Sequence, residues 1–320
     1  MKMILLWLAI GCGSAPAVLE VAPSEELTVC SEGPQDGEPV VLIPGLSGCS
    51  YGFRKLTPLL HEQGLRTIII EPLAVGESAR PLHVDYTMTA QAARLGTVLD
   101  SLEIEDAVFV AQGISGAIVF RLAVERPELL SGIVSVEGGS AEEAISPNIR
   151  NTLKVAKVLA KMGGKGLLRD RYAENLKKSS GDPSWVDRRT VGRYFRGTGR
   201  DISAALGVMV AMTEQAEPWA MTPRLPEIRI PVIVLLGSAP HEAELNSEDI
   251  EILRQGLVNV EFRDVPGAGH FIYEEQPQAV AEAVVDMVTN LSVGGFSSVG
   301  ATLVPGDDGG TDSVQPRNSR

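Results

Sequence analysis

Residues 106–123, DAVFVAQGISGAIVFRLA, carry the pattern that decides the fold. The run VFV at 108–110 is β-branched and aromatic, as is typical of a buried strand. Small residues dominate 112–116, and apolar residues then recur at helical spacing over 118–122. The stretch therefore predicts a buried strand that turns directly into a helix, which is a place where a protein can present a nucleophile.

The composition fits an ordinary globular protein and argues against a nucleic-acid partner. The chain has 320 residues, 44% hydrophobic and 22% charged, which leaves room for one large α/β domain with an insertion. The chain has a net charge of −13 and lacks the concentrated basic surface that binding to nucleic acid requires. The four His residues are scattered, with no cluster of ligand types at metal-binding spacing, so the sequence predicts no metal and no cofactor.

The N-terminus has the pattern of a signal peptide. Residues 1–11 contain one Lys followed by an apolar run that is too short to span a bilayer. The ending AIGC at 9–12 resembles a bacterial lipobox, which implies that Cys12 is lipidated after cleavage. We therefore expect export to the bacterial cell envelope and attachment to the membrane through a lipid anchor. The alternative is a cytoplasmic protein with a wrongly assigned start codon.

Strand and helix patterns alternate along most of the chain. This order predicts a parallel sheet with helices on both faces. Between 138 and 224 the patterns are helical alone, whereas 292–320 is rich in Gly, Ser, Asp and Pro and predicts a disordered tail. The predicted strands cover 18–21, 27–31, 40–43, 65–70, 108–110, 133–136, 231–236 and 258–265.

Three short motifs resemble those of the α/β-hydrolase fold superfamily. AQGISG at 111–116 resembles the nucleophile elbow, PGAGHF at 266–271 resembles the loop that carries the catalytic base, and PGLSG at 44–48 resembles the oxyanion loop. The resemblance extends over about 18–291. It implies a mostly parallel eight-stranded sheet with helices on both faces and a helical cap inserted after the sixth strand.

The same resemblance divides the chain into domains. The core would comprise residues 12–137 and 225–291, and the cap would comprise 138–224. In this scheme His270 matches the base, and the backbone N–H groups of Leu46 and Ile114 match the oxyanion hole.

The acid that would orient His270 is absent from its usual place. Counting from the end of the seventh strand, that position is Pro240, which has no carboxylate. Glu137, directly after the sixth strand, is where some members of the superfamily carry their acid, and Glu242 and Glu244 are further alternatives. Glu137 could equally cap the turn that follows it.

The nucleophile itself has two competing positions. Aligned without gaps, AQGISG places Gly113 at the nucleophile position, where there is no side chain to attack with. The alternative frame, GISGA, makes Ser115 the nucleophile. The distances along the chain from Leu102 and to Arg126 favour Gly113, but both frames stay open at this point.

Three functions follow from these alternatives. The first is a serine-type hydrolase of ester or related acyl small molecules, with Ser115 as nucleophile, His270 as base and Glu137 as acid. The second is a catalytically degenerate protein that keeps the crevice and the cap to bind an apolar small molecule or a partner. The third is a lyase or cofactor-free enzyme in which His270 alone acts as general base. The sequence does not indicate which oligomeric state the protein adopts.

Overall fold

The computed structural model describes residues 16–143, 151, 153–155, 157 and 164–293. The predicted signal peptide, Cys12 and nearly all of the predicted tail lie outside these residues. Among the described helices, none is both long enough and apolar enough to cross a bilayer.

An eight-stranded sheet forms the centre of the described chain, in the order β1-β2-β4-β3-β5-β6-β7-β8. β2 runs antiparallel to both β1 and β4, and the remaining neighbours are parallel. The predicted fold class is therefore confirmed. The strands are β1 (Ala17–Ala22), β2 (Glu25–Glu32), β3 (Pro39–Ile43), β4 (Arg66–Glu71), β5 (Ala107–Gln112), β6 (Leu130–Val136), β7 (Val232–Gly237) and β8 (Val260–Val265).

Helices cover both faces of the sheet, which is why β5 is buried along its whole length. Two apolar clusters result, one on each face, and alternate residues of β5 belong to alternate clusters. The helices are α1 (Thr57–Glu62), α2 (Met88–Ser101), α3 (Ile114–Glu125), α4 (Lys165–Lys178), α5 (Arg188–Tyr194), α6 (Arg196–Arg200), α7 (Ile202–Met212), α8 (Ser247–Gly256), α9 (Ile272–Glu275) and α10 (Pro277–Ser292).

The carboxyl ends of the parallel strands meet at one edge of the sheet. In open α/β sheets this edge is where ligands bind. The loops that follow β3, β6, β7 and β8 and the tight turn that follows β5 all start there. Helix α4 crosses above them, and its Tyr172 hydroxyl donates to the carbonyl of Ser47 at 2.6 Å. The fold thus gathers four loops, one turn and one cap helix around a single crevice.

A buried arginine ties α3 to the segments that lead into and out of the region between β6 and β7. The side chain of Arg121 is fully buried and donates to Glu142 at 2.9 Å and to Glu217 at 3.1 Å. Glu217 also accepts hydrogen bonds from the first turn of α2. The pairing therefore neutralises a charge that would otherwise be buried without compensation.

Replacing Arg121 by methionine should destabilise the fold strongly. Arg121→Met keeps the apolar volume but leaves the largely buried Glu217 without its cation, so we expect a loss of about 3 kcal/mol in the free energy of unfolding. Urea denaturation measures this. The matched control is Arg126→Met, which removes an exposed pair with Asp100 and should cost less than about 1 kcal/mol. Equal losses in the two variants would contradict the role assigned to Arg121.

Candidate active site

The turn between β5 and α3 has the backbone of a nucleophile elbow, with Gly113 at its apex. Gly113 has φ 56° and ψ −128°, a left-handed conformation that glycine adopts far more readily than other residues. A Cβ added there would lie 3.2 Å from both Cε1 and Nε2 of His270. Gly113 therefore occupies the position that faces the base, and that position carries no side chain.

Ser115 lies in the first turn of α3 and faces the protein interior. It is completely buried, and its hydroxyl donates to the carbonyl of Pro44 at 2.8 Å. Ser115 as the nucleophile stays a prediction that this geometry does not favour, because its hydroxyl donates to the loop after β3. Ser115 instead fastens that loop to the elbow.

Cys49 is the other potential nucleophile near the loop after β3. It is a free, buried thiol. Burial raises its pKa to about 12, so the thiol stays protonated and unreactive at neutral pH. Cys49 therefore does not replace the missing nucleophile.

Gln112 precedes the apex and bridges the two sides of the crevice. Its side-chain oxygen accepts a hydrogen bond from the Gly45 N–H at 3.0 Å. Its amide nitrogen lies 2.5 Å from Nε2 of His270. Because an amide NH₂ can only donate, Nε2 is the acceptor and the ring proton of neutral His270 resides on Nδ1. The sequence analysis missed this role, since a glutamine beside a turn carries no catalytic signature.

His270 is held where the resemblance predicted a base, but its environment disfavours the charged form. Its backbone N–H donates to the Ser179 carbonyl at 2.8 Å, which fixes the loop after β8 to the end of α4. Burial, followed by the proximity of His241, lowers its pKa to about 4. The imidazole is thus neutral at physiological pH and is a weak base there.

Glu137 lies at the end of β6 and has φ 50°, a rare conformation for a residue with a side chain. Its carboxylate is buried and accepts from the backbone N–H groups of Gly237 at 2.5 Å and Leu245 at 3.3 Å. Burial raises its pKa. Two backbone hydrogen bonds and an unusual backbone conformation therefore hold the carboxylate at the edge of the crevice.

His241 adds a third group to Glu137 and His270. Its Nε2 lies 3.5 Å from the Glu137 carboxylate, and its ring centroid is 6.4 Å from that of His270. The sequence analysis assigned no role to His241, although it follows β7 at the same edge as Glu137. The alternative acid Glu242 is exposed instead and pairs with Lys178 at 3.5 Å.

A cavity of about 260 Å³ opens beside Gly113 and His270. Leu46 and Ile114, the predicted oxyanion residues, both line it. The cap helix α4 contributes part of the wall, with Tyr172, Asn175 and Leu176. The structure thus brings together His270, Gly113, Leu46 and Ile114 around one small chamber, with Ser115 behind its wall.

The family assignment follows from a comparison with protein-family models. The model described as alpha/beta hydrolase fold matches residues 38–277. The chain belongs to the alpha/beta hydrolase fold family. Its relatives in this family include several hydrolases.

Individual members of the alpha/beta hydrolase family are only distantly similar to this chain. A putative 2-succinyl-6-hydroxy-2,4-cyclohexadiene-1-carboxylate synthase of Bacillus subtilis (strain 168) is 24% identical, over 85% of this chain and 98% of the relative. A haloalkane dehalogenase of Psychrobacter cryohalolentis is 33% identical to this chain, over 38% of this chain and 41% of the dehalogenase. A bromoperoxidase of Bacillus anthracis has a TM-score of 0.70 at 16% identity, covering 86% of this chain and all of that chain.

A fluorophosphonate probe should distinguish Gly113 from Ser115. We expect no labelling of the wild-type chain, because the elbow residue beside His270 is Gly113, which has no hydroxyl. Gly113→Ser should gain labelling, since its Cβ would lie 3.2 Å from Nε2. Mass spectrometry of the labelled chain measures both. Labelling of the wild type that disappears in Ser115→Ala would contradict the placement of Gly113 at the nucleophile position.

Proposed function

We propose that this chain binds a small, largely apolar molecule in the crevice beside Gly113 and forms no covalent bond to it. The observation that carries the proposal is the apex of the elbow: the backbone has the conformation that presents a nucleophile, and the residue there is glycine. An acyl-enzyme mechanism needs an attacking atom within reach of the base. Ser115 and Cys49 are both buried away from that position.

The bridge formed by Gln112 favours binding over general base catalysis. It occupies Nε2 of His270, the nitrogen that would accept a proton, and the N–H of Gly45. A pKa of about 4 further reduces the tendency of His270 to take a proton at neutral pH. The crevice is therefore internally hydrogen-bonded in a way that stabilises the elbow and leaves little acid–base function.

The lining of the cavity supports an uncharged ligand. Leu46, Ile114, Leu176 and Phe271 provide apolar walls. A cavity of about 260 Å³ is at the small end of the range for ligand sites, about 300–1,000 Å³. Relatives whose names refer to small organic substrates, such as the haloalkane dehalogenase, agree with a ligand of this size.

We further propose that the mature protein is lipid-anchored at Cys12 on the bacterial cell envelope. The support is the sequence pattern alone: one Lys, a short apolar run and the lipobox-like AIGC at residues 9–12. A tether at residue 12 would leave the folded domain, which starts at β1, close to the membrane surface.

The binding proposal can be tested with p-nitrophenyl butyrate, an uncharged ester. We expect the wild type to bind it without releasing nitrophenol above the uncatalysed rate, as measured by calorimetry and absorbance. Asn175→Trp, on the cavity side of α4, should weaken binding at least about 10-fold by filling the mouth, which corresponds to about 1.4 kcal/mol.

The matched control is Leu167→Trp on the same helix, at a side chain that is 66% exposed and outside the cavity. It should leave the affinity unchanged. Equal affinities in the two tryptophan variants would place the ligand elsewhere. A rapid burst of nitrophenol from the wild type would overturn the proposal of binding without a covalent intermediate.

Lipidation can be tested by growing expressing cells with a palmitate analogue. We expect the wild type to incorporate the label and to sediment with membranes, and Cys12→Ser to do neither. Cys49→Ser is the control, because it changes a thiol that lies in the folded domain. Unlabelled wild-type protein in the soluble fraction would favour the cytoplasmic alternative.

A further inference from the structure

Three metal-ligating side chains converge on the side of His270 that faces away from Gly113. Glu137, His241 and His270 each offer one ligand atom, and these three atoms all lie within 4.8 Å of one another. They come from the loops after β6, β7 and β8, which meet at the carboxyl edge of the sheet. Their convergence is therefore a product of the fold and not of local sequence.

Two of the candidate ligand atoms are buried without a hydrogen-bond partner. They are Nε2 of His241 and Nδ1 of His270. The side chains of His241 and Glu137 are 0% and 1% exposed. Buried polar atoms are nearly always hydrogen-bonded. Here the Glu137 carboxylate lies 3.5 Å from Nε2 of His241 and the Ala243 backbone lies beside His270, contacts that fall short of normal hydrogen-bond geometry and leave room for a cation as the partner.

The surrounding backbone holds Glu137 and His241 in an orientation that suits metal ligands. The Ala239 carbonyl lies 2.7 Å from Nδ1 of His241, so the ring donates from Nδ1. Nε2 is then the nitrogen that faces the Glu137 carboxylate, at 3.5 Å, while the Gly237 N–H donates to the other carboxylate oxygen. Backbone partners that fix the tautomer and the carboxylate in this way are usual around metal ligands.

We propose that Glu137, His241 and His270 form a binding site for a divalent first-row transition metal. Zn²⁺ is the ion with which the site can be tested. Two imidazoles and one carboxylate are a recurrent ligand set for zinc and for non-haem iron. A cation would also compensate the buried negative charge of Glu137. Bonds of about 2.0–2.2 Å require donors about 3.4 Å apart, so the three side chains would close inward by about 1 Å.

Metal binding at Nδ1 has a consequence for the crevice. A ligating Nδ1 must lose its proton, so the neutral ring of His270 then carries its proton on Nε2. The amide of Gln112 would have to turn its oxygen toward that N–H, which releases the N–H of Gly45 into the cavity. The proposed metal site is thus separate from the proposed ligand cavity, and the ring of His270 couples the two sites.

The test uses the full chain, purified without an affinity tag and stripped with a chelator. Titration with Zn²⁺ in a calorimeter should give about one ion per chain for the wild type. His241→Asn and Glu137→Gln should each lower the affinity at least about 10-fold. Zinc should also raise the melting temperature of the wild type but not that of these variants.

A double variant, His61→Asn/His83→Asn, is the matched control. The chain has four His residues, so this variant retains only His241 and His270. It should bind zinc as the wild type does, which excludes His61 and His83 as ligands even if His241→Asn and Glu137→Gln fail to fold. Loss of zinc binding in the double variant, undiminished binding in a folded His241→Asn, or a wild type that binds no zinc would each overturn the proposal.

Discussion

The left-handed backbone of Gly113 is the constraint on which the rest of the site depends. It allows β5 to pass into α3 without an intervening loop, and it brings the first turn of α3 against the loop after β3. In the alpha/beta hydrolase family this turn exists to present a side chain. Here the turn has this backbone conformation, and the residue at its apex is glycine.

The polar groups around the turn have become structural. Ser115 holds the loop after β3 through the Pro44 carbonyl, and Gln112 joins the Gly45 N–H to His270. These bonds join the loop after β3 to the elbow and to His270, so several polar groups of the crevice pair with one another.

The side of the His270 ring that faces away from Gly113 has a different hydrogen-bonding environment. Glu137 and His241 have backbone partners that fix their orientation, and Nε2 of His241 lies 3.5 Å from the carboxylate in a buried setting. Desolvation makes a buried carboxylate costly there, and the raised pKa of Glu137 expresses this cost. The two sides of one imidazole therefore meet different environments, one occupied by Gln112 and one facing His241 and Glu137.

The sequence by itself determined the eight-stranded fold, because alternating strand and helix patterns leave few ways to bury both faces of a parallel sheet. It also placed Gly113 and His270 in the motifs that meet at the crevice. Spacing along the chain favoured Gly113 over Ser115 at the nucleophile position but left both frames open, because the direction of the Ser115 side chain depends on the φ of Gly113. Nor did it indicate the grouping of Glu137, His241 and His270. Those residues are distant in sequence, and only the packing of β6, β7 and β8 side by side brings their loops together.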